Sequence, residues 1–158
     1  MDFGEYIAKV GSRFSGRGVV PINYGTTFQF YEERFEAKWF ATQLKIYSFV
    51  AYSPSITGAD IVRFSDSCTA YALNQYSGLP RGMQNGVASF TILAGDDISL
   101  EAISYAQARP KKHWAALEMP VVFDLANSRV FYYRKTPIVG AIYYSSLRRY
   151  IEENFNIR

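Results

Sequence analysis

Two apolar runs and the segment between them constrain this chain most. Leu44–Tyr52 (LKIYSFVAY) is β-branched and aromatic, and Val87–Ala94 (VASFTILA) reads as a buried strand. Pro54 ends the first run. Thr57 and Asp60 then resemble a capping box with a short acid in its third place. Ile61, Phe64, Cys68, Tyr71 and Ala72 share one helical face, and Gly78 with Pro80 stops the helix after about Tyr76. Strand, helix and strand in that order allow a parallel pair joined by a right-handed crossover.

The flanking segments extend this unit. Phe3, Ile7, Val10 and Phe14 have helical spacing, which predicts a helix from about Asp2 to Arg13, and 11–21 reads as a loop. Thr26–Tyr31 alternates like a strand. Residues 31–43 fit either state: Tyr31, Phe35 and Trp39 keep a helical interval, while Phe35, Ala37 and Trp39 alternate. Asp96 and Asp97 offer a cap to a helix carrying Ile98, Ala102, Tyr105 and Ala106, which ends at Arg109-Pro110. Trp114–Asp124 reads as a strand that Pro120 demotes to an edge, a bulge or a break. Leu125–Ser128 turns the chain, and Arg129–Lys135 returns as the hairpin partner. Pro137 and Gly140 break that strand, and Ile142 or Tyr143, Leu147, Tyr150 or Ile151, and Phe155 mark a last amphipathic helix. The expected fold is α+β: one domain over 1–158, a mixed sheet with helices on its faces, one βαβ unit and a C-terminal hairpin and helix. Residues 1–20 form its peripheral helix and loop. At 158 residues, 49% hydrophobic and 20% charged, the chain is large enough for a core without staples.

Residue counts exclude several chemistries. One Cys rules out an internal disulfide and a four-cysteine metal site, and one His rules out any site needing two from this chain. Cys68 lies on an apolar helical face and reads as a small buried hydrophobe. His113 stands beside two Lys and a Trp with no nucleophile-elbow pattern, so no catalytic residue, metal or cofactor is expected. Glu36-Ala37-Lys38 has the E-x-K spelling of some metal-dependent nucleases but lacks a further acid on a preceding strand. No apolar run approaches a membrane span, and the N-terminus has no secretory h-region, so the expected location is the cytoplasm.

Charge and aromatic content point to surfaces. Residues 1–100 hold eight Lys/Arg against nine Asp/Glu, whereas 101–158 hold nine against five. Arg109, Lys111, Lys112, Arg129, Arg134 and Lys135 are the candidate nucleic-acid contacts, if the hairpin gathers them on one face. Gly78–Gly86 offers a second surface, where Arg81, Gln84 and Asn85 among three glycines are candidate ligand contacts. The 13 Tyr suit either half-buried strands or an interface. The expected function is binding: an interaction module joined to a protein partner or to its own copies. A nucleic-acid binder using 109–149 is the alternative, and a small-molecule enzyme at Gly78–Gly86 is the third reading.

Overall fold

A computed structural model describes residues 1–15, 18–20, 25–36, 42–76, 85–113, 116–136 and 141–158. In chain order the elements are α1 (Phe3–Gly11), β1 (Gly18–Val20), β2 (Thr27–Glu36), β3 (Thr42–Tyr52), β4 (Ser55–Ile56), α2 (Gly58–Gln75) and β5 (Asn85–Gly95). There follow β6 (Asp97–Ile98), α3 (Leu100–Gln107), β7 (Lys112–His113), β8 (Ala116–Asp124), β9 (Arg129–Phe131) and α4 (Ala141–Asn154). The main sheet has the order β1-β2-β3-β5-β8-β7, and β9 also pairs β8. In it β3, β5 and β8 run parallel and the other strands join antiparallel, while β4 and β6 pair parallel in a separate two-stranded sheet. This is the mixed α+β architecture expected, with a second βαβ unit, β5-α3-β8, beyond the one foreseen.

Helices cover both faces. Tyr6, Ile7 and Val10 of α1 and Leu147, Tyr150 and Ile151 of α4 pack on Phe30, Phe90, Val121 and Phe123. Ile61, Phe64 and Cys68 of α2 and Ala102 and Ala106 of α3 pack on Phe49, Leu93 and Val122. Both crossover helices lie on one face, as two crossovers of the same hand stepping in one direction require. The tyrosines mostly serve this core. Tyr6 stacks on Phe123 with centroids 4.2 Å apart and donates to Phe155 O at 3.1 Å. Tyr150 donates to Glu32 Oε2 at 2.8 Å. A buried ring with a partnered hydroxyl contributes apolar area without leaving a polar group orphaned. Among the described residues the exposed large hydrophobics are Tyr31, Tyr52 and Leu100, on three separate elements.

Several local expectations change. β1 occupies part of the segment read as loop. The 31–43 ambiguity resolves to strand as far as Glu36 and again from Thr42, because nine cross-strand pairs from Phe28↔Val50 to Glu36↔Thr42 outweigh local helix preference. Ser99, not Asp96 or Asp97, caps α3: its side chain accepts from Ala102 N–H, while Asp97 of β6 pairs with Ser55 of β4. Gly95 sits at that junction, where a Cβ would lie 2.4 Å from Ser53 O. Thr57 and Asp60 do form the capping box. No helix among the described residues is long and apolar enough to cross a membrane.

The outer edge of β8 positions the candidate site. Leu125 N–H donates to Gly95 O, on the β5 side. By two-residue alternation, even-numbered positions of β8 turn their backbone groups to the other side. Pro120 therefore directs its missing donor outward. There it meets no ladder: β7 pairs Ala116 and Leu117, and β9 pairs Val122 to Asp124. β8 stays continuous with β5 through Pro120, so the proline neither breaks nor bulges it.

Candidate functional site

The hairpin is shorter than its sequence suggests. Asp124 accepts from Asn127 N–H at 2.9 Å and from Asn127 Nδ2 at 2.8 Å, and Ser128 adopts φ 50°. This Asx turn reverses the chain within Leu125–Ser128. The ladder then lasts only from Arg129 to Phe131, and 132–136 leaves it.

Beside β9 lies a cleft of about 380 Å³ lined by Gln107, Ser128, Arg129, Val130, Phe131, Arg134, Asn156 and Arg158. Its lining straddles the sheet edge. Phe131 belongs to the α2/α3 core, so Arg129, two residues earlier, lies on that face, and its guanidinium sits 5.2 Å from the Phe131 ring centre. Tyr132 belongs to the α1/α4 core, and Arg134 lies over its ring at 4.4 Å. Asn156 and Arg158 follow α4 on the same side.

Carboxylates near the cleft are committed elsewhere. Glu152 accepts from Tyr132 OH and Asn156 Nδ2, and its Oε1 lies 3.6 Å from Arg134. Burial opposes its charged form, but those bonds and the Arg134 and Arg158 charges outweigh burial and hold Glu152 below the usual carboxylate range. Burial, then the bond to Glu152, pushes the Tyr132 phenol up to about 12. Asp124 faces Arg129 across the ladder but is bonded to Asn127. Arg129 and Arg158 have no ion pair among the described residues.

The six predicted cations do not gather on one face. Arg129 and Arg134 share the cleft. Lys112 pairs with Leu117 and Arg129 with Asp124, seven positions apart on β8, which is roughly 23 Å. Lys111 is bonded to Asp66 at 2.6 Å, which raises its pKa. Lys135 is exposed, and its carbonyl accepts from Arg148. Arg109 is exposed, near enough to Tyr144 to oppose the upward push of burial on that phenol. Arg81 and Gln84 lie outside the described residues, as do Ala37 and Lys38. Asn85 opens β5 opposite Gln43. Sequence reading missed Asn156 and Arg158, which only the fold of the tail brings to the hairpin.

It also missed the role of Glu118. This side chain is 1% exposed and lies 2.6 Å from His113 Nε2 through Oε2. Its Oε1 accepts from Ser65 Oγ at 2.6 Å, and Ser65 in turn accepts from Thr91 at 3.0 Å. The arrangement ties α2, β5, β7 and β8 together beneath a half-exposed imidazole. An acid at an inward position of an otherwise apolar strand was the signal for it. Ser65 is fully buried, so no substrate reaches its hydroxyl in this conformation. Burial also pushes the Cys68 thiol up, away from reactivity. No group of three or more metal-ligating side chains occurs among the described residues. No protein family, curated protein or solved structure matches this chain.

Proposed function

We propose that this protein acts by binding, and that its contact surface is the cleft beside β9, which takes an anionic ligand. The observation that carries this reading is the convergence of Arg129, Arg134 and Arg158 on one polar cleft where, among the described residues, Arg134 is the one of the three with an ion pair, to Glu152 at 3.6 Å. Guanidinium groups without a dedicated acid favour carboxylate or phosphate through paired hydrogen bonds. Ser128, Asn156 and Gln107 add neutral hydrogen-bonding side chains to the same wall. Pairing of two copies through this face is disfavoured, since a two-fold contact sets the three arginines against themselves.

The test is fluorescence anisotropy of labelled single-stranded RNA, double-stranded DNA and polyglutamate, titrated with the full chain at low and moderate salt. Binding that weakens as salt rises supports the reading; for a single strand meeting three cations the logarithmic slope is about −2. Each of Arg129→Gln, Arg134→Gln and Arg158→Gln should reduce that slope by about 0.7. Lys112→Gln, at the far end of β8, should leave it unchanged. Absence of polyanion binding at low salt, or binding indifferent to the three arginine substitutions, overturns the proposal.

A further inference from the structure

The cleft has a floor as well as walls. Asp124 and Val122 turn their backbone groups toward β9, so their partners Arg129 and Phe131 form the hydrogen-bonded pairs. Val130, between them, directs its N–H and C=O away from β8. No other strand pairs β9 among the described residues, and Val130 lines the cleft. An open strand edge is a template for another chain.

We infer that the occupant is an extended acidic segment of a partner protein, added as a strand along Val130, its acidic side chains held by Arg129 on one face and by Arg134 and Arg158 on the other. This rests on the anion-binding reading above and names its ligand class. Charge complementarity selects acid, and the placement of the charges selects an extended peptide. Successive residues of an added strand point to opposite faces of the sheet. Two adjacent acidic residues therefore meet cations on both sides of the edge, which a strand edge with arginines on one face alone could not offer. Main-chain bonds then supply affinity and the alternating side chains supply specificity. Nucleic acid fits less well: the aromatic rings beside the arginines, Phe131 and Tyr132, are buried in the two cores and unavailable for stacking on bases.

The experiment uses an end-blocked, fluorescein-labelled peptide of about six residues with adjacent glutamates. Two further versions carry N-methyl groups on alternate amides, one version in each frame. Strand addition predicts that one frame loses about tenfold in affinity and the other keeps it, because only one frame faces Val130. Arg129→Gln with Arg134→Gln should abolish binding of the parent peptide, with the unfolding midpoint monitored as a check on the fold. Equal affinity in both frames, or equal loss in both, overturns strand addition. If the oligonucleotide binds and the peptide does not, the acidic-peptide inference falls while the anion-binding reading stands. If neither binds at low salt, both fall.

Discussion

The two ends of β8's outer edge begin from the same chemistry and finish differently. At one end Lys111, Lys112 and His113 lead into β7; at the other Arg129 opens β9 and Arg134 follows it. At the β7 end acids answer Lys111 and His113. Asp66 holds Lys111, and the buried Glu118 takes His113 with one oxygen and Ser65 with the other. At the β9 end the nearby acids bond mainly to neutral donors, Asp124 to Asn127 and Glu152 to Tyr132 and Asn156; Glu152 also lies 3.6 Å from Arg134, and Arg129 and Arg158 have no ion pair among the described residues. A basic stretch in a sequence thus has two fates. Paired within the fold, its charge is spent on structure; left over, it is available to a ligand.

The sharpest way to break this contrast is to empty the β7 end. Glu118→Ala removes a buried acceptor, strands Ser65 and opens space between α2 and the sheet. It should cost about 3 kcal/mol in urea unfolding, with the peptide and polyanion affinity of the β9 end unchanged in the folded fraction. A loss under ~1 kcal/mol would mean that the network is ornamental to stability. Ser65→Ala comes next. It deprives Glu118 Oε1 and Thr91 of their partner and should cost about 1.5 kcal/mol by the same measurement. At the β9 end the double substitution Arg129→Gln, Arg134→Gln should move stability by no more than about 0.5 kcal/mol, since both side chains are exposed, while binding collapses. An unfolding penalty above that from the arginines would make the cleft a structural feature instead of a contact surface.

What could be read in advance follows from how local each determinant is. The Thr57–Asp60 box, the inner face of α2 and the Leu125–Ser128 turn are decided within a few residues, and each formed as read. Residues 31–36 satisfied two periodicities at once, and pairing with β3, a long-range contact, chose between them. The α3 cap was read as Asp96 or Asp97; pairing of Asp97 with Ser55 draws that stretch into β6, and the helix starts later, capped by Ser99. Among the candidate site residues, Arg129 and Arg134 were visible as charges beside a hairpin. Their joining with Arg158 and Asn156 depends on where the tail after α4 packs against the α1/α4 face, through Phe155 and Ile157. No pattern near the hairpin encodes that. The tyrosine count was equally silent on direction: a ring fits a core or an interface, and only the partners of Tyr6 and Tyr150 show that for these two it is the core, whereas Tyr31 and Tyr52 are exposed.

The smallest expected effect sharpens the comparison at the β9 end itself. Glu152 holds its charge more firmly folded than unfolded, so its folded pKa lies below its unfolded value. Its contribution to stability is therefore fully present above the unfolded carboxylate range of about 4.3 and is lost as pH falls through the depressed folded value. Its side chain is 36% exposed, so solvent screening keeps the effect small. Below that window the protonated carboxyl no longer answers Arg134, and the cleft gains cationic character just as stability declines. In chemical unfolding at a series of pH values, Glu152→Gln should flatten this acid limb and leave the neutral-pH limb displaced by a constant amount. At neutral pH the same substitution should tighten binding of the acidic peptide, because it removes a carboxylate that competes for Arg134. Unchanged or weaker binding would mean that Glu152 orients Arg134 and Asn156 for the ligand, and that its negative charge is a cost the cleft carries for their placement.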